Sequence, residues 1–173
     1  MEPKQDIKKL LKVIFNNTDS YYDIKTKLVT LEQIICHSLD QNVIEGAFMK
    51  ILSLFITRNK VIKRACIPHF KKIKSHVKNI SQDITNLFYI NDRDVILLTL
   101  RFVRIFAKFY CKNSIVIYHV LHSKNKYKYK VLNSLISRNN DILGLFDYQE
   151  IIQNEFVEDN QGEDNVKRFK LNQ

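Results

Sequence analysis

Glycine and proline, which make most tight turns, are scarce in this chain, which has three Gly and two Pro among 173 residues. β-Sandwiches and barrels need such residues about every ten positions, and phosphate-binding loops need glycines in clusters. Gly46, Gly144 and Gly162 instead stand far apart. The shortage therefore predicts an all-α fold and disfavours β-rich and glycine-loop architectures.

Apolar residues recur with the period of an α-helix along most of the chain. They predict about nine helices, the first marked by Ile7 to Ile14 and the others at about 21–37, 41–57, 60–77, 80–90, 92–110, 114–122, 128–137 and from 141 onward. Pro68 lies inside the fourth and predicts a kink there. The periodicity stops after Asn154, so we expect one helical domain over 1–154 and a flexible tail over 155–173, acidic and then basic.

Three of the predicted helices begin after similar polar turns, each followed by an isoleucine that enters the core. These isoleucines, Ile62, Ile96 and Ile142, are 34 and 46 residues apart. Helix pairs repeating at such intervals are typical of α-solenoids built from HEAT-like repeats. A generic helical bundle is the alternative, because capping turns also repeat Asn and Asp.

Positive charge is concentrated in the first 140 residues. The chain has a net charge of +10, and residues 1–140 hold 25 Lys and Arg against 10 Asp and Glu. Stripes on the fourth and sixth helices would merge into a basic wall that attracts an anionic partner. Its predicted members are Lys60, Lys63, Arg64, Lys71, Lys74, Lys78, Arg101, Arg104 and Lys108. The alternative is a coding bias, since Lys outnumbers Arg 21 to 7 in a chain also rich in Ile and Asn.

Sequence motifs for catalysis or metal binding are weak. His119 and His122 are spaced to share a metal, but no third ligand accompanies them. Cys36-His37 and the Cys66 and His69 pair are interpreted as packing, and no nucleophile or phosphate-loop motif is present. The alternating cations and tyrosines of 124–130 suit either nucleic-acid binding or a charged loop anchored by its tyrosines. We therefore predict a protein that is not an enzyme and needs no cofactor.

Targeting signals are also missing from the sequence. The three cysteines do not form a disulfide pattern, and we expect neither a signal peptide nor a membrane span. A cytoplasmic or nuclear location follows as the expectation.

Taken with the predicted helices and turns, residues 19–152 resemble the N-terminal HEAT-like domain of the symplekin family, scaffolds of pre-mRNA 3′-end processing. The resemblance lies in the runs Leu31-Glu32-Gln33-Ile34-Ile35, Asn42-Val43-Ile44-Glu45, Ser53-Leu54-Phe55, Val61-Ile62-Lys63-Arg64, Asp92-Arg93-Asp94-Val95-Ile96 and Ser137-Arg138-Asn139-Asn140-Asp141-Ile142. It implies a nuclear, non-enzymatic scaffold that docks protein partners in mRNA cleavage and polyadenylation. Those partners would be 3′-end processing factors, among them the phosphatase of the polymerase II C-terminal tail. The family's domain is longer, and its phosphatase-docking surface has no residue-by-residue match here. Direct RNA binding through the basic wall is the alternative function.

Overall fold

The computed structural model describes residues 3–145, which form helices joined by turns and irregular segments and contain no β-strand. The all-α prediction is therefore confirmed for this part of the chain. Its helices are α1 (Pro3–Lys12), α2 (Tyr21–His37), α3 (Gln41–Thr57), α4 (Lys60–Ile73), α5 (Arg93–Ile105), α6 (Ala107–Tyr110), α7 (Ser114–His122) and α8 (Lys128–Ile136). Two 3₁₀ helices, Thr85–Tyr89 and Asn140–Leu145, complete the secondary structure.

The chain divides into two compact units, Met1–Ile105 and Phe106–Gln173. In the first unit, α2 packs on α3 and α4, α3 also packs on α4, and α4 packs on α5. In the second, α8 packs against α6, α7 and the second 3₁₀ helix. The prediction of one continuous domain over 1–154 stays a prediction, and the predicted tail over 155–173 lies outside the described residues.

Polar residues cap the starts of three long helices. Ser20 and Asp23 form a reciprocal capping box at α2. The Asp40 carboxylate accepts the Asn42 N–H at α3, and the Asn59 side chain accepts two N–H groups at α4. The predicted helices at about 21–37, 41–57 and 114–122 coincide with α2, α3 and α7.

Helices α3 and α4 are antiparallel, whereas α4 and α5 run in the same direction. The two-residue turn between α3 and α4 brings Lys63 against the carbonyl of Phe55. Two contacts between α4 and α5 each join residues that are 32 positions apart in the sequence. The Lys60 side chain contacts Asp92, and the ring centroids of Phe70 and Phe102 lie 5.0 Å apart. In an antiparallel pair this difference in residue number would change along the helices, so the equal values show that α4 and α5 are parallel.

A cluster of fully buried phenylalanines holds these three helices together. Phe55 of α3 stacks on Phe102 of α5 at 5.2 Å, and both rings contact the edge of Phe70 of α4. All three side chains are completely shielded from solvent. Aromatic contacts of this kind contribute about 0.5–1.5 kcal/mol each beyond their buried area. The cluster therefore fixes the relative placement of α4 and α5.

All three helices predicted between residues 60 and 110 differ from the observed ones. The helix predicted at 80–90 is only the 3₁₀ helix Thr85–Tyr89, because the Asp83 carboxylate accepts both the N–H and the hydroxyl of Thr85 and favours a turn. The predicted 60–77 helix ends at Ile73, and the predicted 92–110 helix is interrupted at Phe106, whose backbone is not helical. The kink at Pro68 stays a prediction.

The second unit is built from shorter elements. Asn113 caps α7, and the Lys128 ammonium donates to the carbonyl of Leu121 in the last turn of that helix. The Asn139 amide donates to the carbonyl of Cys111 at 2.8 Å, which ties the end of α8 to the turn after α6. The helix predicted from 141 onward begins within the second 3₁₀ helix, and its continuation past residue 145 lies outside the described residues.

Candidate partner-binding surface

Near the starts of α4 and α5, cations of the predicted basic wall are paired with carboxylates. The Lys60 ammonium lies 3.2 Å from Asp92 and 3.3 Å from Asp94, and the Arg64 guanidinium lies 3.8 Å from Asp94. Hydrogen bonds to Asp92 and then to Asp94 raise the pKa of Lys60. The pKa of Asp92 is lowered, first by the Asp94 N–H and then by Lys60. Lys60 and Arg64 therefore face carboxylates of their own chain.

Lys63, predicted as part of the basic wall, is buried, with 2% of its surface exposed. Its ammonium donates to the carbonyl of Phe55 at 2.6 Å and to that of Ile56 at 2.9 Å, two acceptors in the last turn of α3. Burial lowers the pKa of this ammonium. Lys63 caps a helix inside the first unit, so the prediction that it is part of an exposed basic wall was wrong.

The opposite end of the α4–α5 pair carries cations on both helices. Two helical turns, or seven residues, lead from Arg64 to Lys71 and from Asp94 to Arg101. Arg64 and Asp94 are in contact across the two helices. Because the helices are parallel, we infer that Lys71 and Arg101, two turns further on, lie at about the same height along the pair. One further turn brings Lys74 and Arg104 to one level in the same way. We call these four exposed residues the α4–α5 cation cluster: Lys71, Lys74, Arg101 and Arg104.

The remaining two members of the predicted wall belong to neither α4 nor α5. Lys78 is exposed in the irregular segment that follows α4. Lys108 belongs to α6 in the second unit, where its ammonium lies 4.7 Å from the centroid of the Phe109 ring. That distance is within the range of a cation–π contact.

A buried carboxylate links α2 to α4 beside the cation cluster. Glu32, whose side chain is 8% exposed, accepts hydrogen bonds from Nδ1 of His69 at 2.5 Å and from Nζ of Lys72 at 3.2 Å. A buried carboxylate must find such donors, because an unpaired charge inside a protein is costly. His69 therefore has a structural partner on α2.

The cysteine and histidine pairs noted in the sequence do not assemble a nucleophile. Cys66 is fully buried, and burial raises the pKa of its thiol to about 12, so it stays protonated. Burial and then the charge of Glu32 raise the pKa of the Cys36 thiol. Nε2 of His37 is hydrogen bonded to Gln33. Among residues 3–145, no group of three His, Cys, Asp or Glu side chains is placed to hold a metal ion, and this includes His119 and His122.

The exposed face of α7 has residues that the sequence pattern did not assign to the surface. Ile115 is 61% exposed and Tyr118 is 56% exposed, while Val116, Ile117 and Val120 are buried. All but one of the positions from 115 to 121 are apolar or aromatic, so periodicity could not decide which face of this helix points outward. In the neighbouring segment 124–130, Tyr127 and Tyr129 are half-buried, whereas Lys124 and Lys126 are exposed.

Comparisons with protein-family models, curated proteins and solved structures found no match to this chain. Over the described residues, no helix combines the length and apolar character needed to cross a bilayer.

Proposed function

We propose that this chain is a non-enzymatic helical-repeat scaffold whose first unit docks an acidic segment of a protein partner on the α4–α5 cation cluster. The observation that carries the proposal is the change of charge along two parallel helices. Opposite charges meet at Arg64 and Asp94, and the exposed residues two turns later on each helix, Lys71 and Arg101, are both cations. The positive charge that these exposed residues bring to both helices would attract an acidic segment.

The repeat architecture is supported by the helix directions. In an α-solenoid, the second helices of successive pairs lie side by side and run in the same direction. α4 follows α3 after a two-residue turn, and α5 lies parallel to α4 at a spacing of 32 residues. The 3₁₀ helix Thr85–Tyr89 packs on α5 and takes the place of the first helix of the second pair.

An acidic protein segment suits this surface better than a nucleic acid does. The aromatic rings of α4 and α5, Phe70 and Phe102, are buried in the core, so these helices offer no face on which a base could stack. The resemblance to symplekin, as a further part of the proposal, assigns the partners to nuclear 3′-end processing.

The proposal is tested by binding of a fluorescent oligoglutamate peptide to the full chain at low salt. The double variant Lys71→Glu/Lys74→Glu should weaken binding about tenfold or more, because each exposed ion pair contributes roughly 0.2–1 kcal/mol and reversal also adds repulsion. The matched control Lys8→Glu/Lys12→Glu makes the same charge change on exposed residues of α1 and should leave affinity within about twofold.

Two results would contradict the proposal. Equal losses from both double variants would mean that only net charge attracts the peptide. Affinity capture from the native organism that returned no cleavage, polyadenylation or phosphatase component would contradict the assignment to 3′-end processing, and retained peptide binding would then leave the cation cluster as an acidic-segment site of another kind.

A further inference from the structure

The outward face of α7 is apolar and aromatic, which is unusual for a short helix at a protein surface. Ile115, Tyr118, His119 and His122 fall on this one face, since they are three or four residues apart. The opposite face carries the buried residues Val116, Ile117 and Val120, and the helix packs on α8. The helix is therefore already anchored, while Ile115, Tyr118 and His122 are exposed on its outward face.

Two rings on this face are held in a defined arrangement. The centroids of Tyr118 and His122 lie 4.1 Å apart, and their planes are inclined by 31°. Nδ1 of His122 donates to the carbonyl of Tyr118 at 2.8 Å, because a carbonyl oxygen only accepts. In the neutral ring Nε2 is then the acceptor. Rings that are fixed before binding lose less conformational entropy when a ligand arrives.

The described part of the second unit carries mostly positive charge. Residues 106–145 contain seven Lys and Arg and a single acid, Asp141. Exposed lysines flank both ends of the helix, Lys112 in the turn before it and Lys124 and Lys126 after it. The helix is about 13 Å long, which matches roughly four stacked nucleotides at about 3.4 Å each.

We propose that this face of α7 binds a single strand of nucleic acid, with bases stacked on Tyr118 and His122 and phosphates contacting Lys112, Lys124 and Lys126. Single-strand binders combine a cationic groove with aromatic side chains in this way. An acidic protein would engage the lysines but would leave the two exposed rings without a role. A single strand would use both the rings and the lysines, and its binding needs no residue of the α4–α5 cation cluster.

The test measures fluorescence anisotropy of labelled oligo(U) and oligo(dT) with the full chain. Tyr118→Leu keeps the apolar bulk but removes the ring, and it should weaken binding by about 5- to 150-fold, the range that loss of one stacked base predicts. Tyr118→Phe keeps the ring and should bind within about twofold of the unmodified chain. Binding of both oligonucleotides supports the shared chemistry, and a preference for either identifies RNA or DNA.

Charge and position are checked by separate variants. Lys124→Gln should lower the slope of log affinity against log salt by about 0.7, the value for one phosphate contact on a single strand. Tyr22→Ala removes a tyrosine that is 78% exposed on α2 and should have no effect. In a chain that carries Lys71→Glu/Lys74→Glu, Tyr118→Leu should still weaken oligonucleotide binding by the same factor. That result would distinguish this site from the proposed docking surface.

Three results would overturn the inference. The first is binding that Tyr118→Leu leaves unchanged, or no binding of either oligonucleotide at low salt. The second is oligoglutamate binding with the same dependence on Tyr118, which would identify an acidic-protein site. The third is a dimer in light scattering that Tyr118→Leu converts to a monomer, which would identify a self-association surface. Unchanged thermal melting of the variants excludes misfolding as a cause.

Discussion

Lysines from one stretch of sequence have different roles in this molecule. Lys60 is paired with two carboxylates, Lys63 is buried against two carbonyls, and Lys71 and Lys74 are exposed. A lysine buries its apolar stem readily but needs an acceptor for its ammonium. The last turn of α3 supplies that acceptor to Lys63, so its charge stabilises a helix end and does not contribute to the surface.

Replacement of Lys63 by Met should destabilise the first unit. Lys63→Met keeps the apolar stem and leaves the carbonyls of Phe55 and Ile56 without their donor, at an expected cost of about 1–3 kcal/mol in the free energy of unfolding. Urea denaturation measures this change. The control Lys74→Met, at an exposed position, should change stability by less than about 0.5 kcal/mol. A Lys63→Met variant as stable as the parent would show that desolvation of the ammonium cancels its hydrogen bonds.

The parallel pair of α4 and α5 is linked by one residue with two roles. The Asp92 carboxylate accepts the N–H groups of Asp94 and Val95 at the start of α5 and also contacts Lys60 of α4. Capping and ion pairing both favour the ionised form, which is why the pKa of Asp92 lies below its usual 3.8. The pairing of these helices should therefore depend on pH in acid.

The variant Asp92→Asn should isolate this pH dependence. Asn retains a capping oxygen but cannot pair with Lys60, so the variant should be less stable than the parent near pH 6. A carboxylate with a lowered folded pKa stabilises the fold above its unfolded pKa, and this contribution is lost as the pH falls through the folded value. The stability difference should thus shrink as the pH falls from 3.8. Thermal melting from pH 6 to pH 2 measures it, and a constant difference would contradict the assigned role of the charge.

Helix positions could be predicted from the sequence where a cap and an apolar stripe agree. Asp40 before α3 is such a case, and that helix begins where the cap places it. For α7 the cap at Asn113 agrees with the predicted start, although the helix has no single apolar stripe. The apolar spacing from Ile80 to Phe88 also fits a helix, yet the turn formed by Asp83 and Thr85 prevails locally. The sequence shows that this region is rich in cations, but it does not show which of them are exposed. Only the packing of the helices shows that Lys63 is buried.

Charge is unevenly distributed over the whole molecule. The described residues 3–145 hold 25 Lys and Arg against 10 Asp and Glu, while residues 155–165, which lie outside them, hold five acids and no cation. Net charge sets the long-range attraction between a protein and its anionic ligands. We therefore expect these acids to weaken the attraction of the chain for anions.

Neutralising these acids should strengthen anion binding. A chain with Glu155, Glu158, Asp159, Glu163 and Asp164 replaced by their amides keeps its length and has a net charge of +15 instead of +10. Its affinity for oligoglutamate and for oligo(U) should rise at low salt, and deletion of residues 155–173 should act in the same direction. Because the Debye length falls to about 3 Å at 1 M salt, the gain should vanish there. Anisotropy titrations across this salt range measure both effects. An affinity that is unchanged at low salt would show that the acids neither screen the cations nor compete for them, whereas a gain that persists at 1 M salt would require a direct, specific contact.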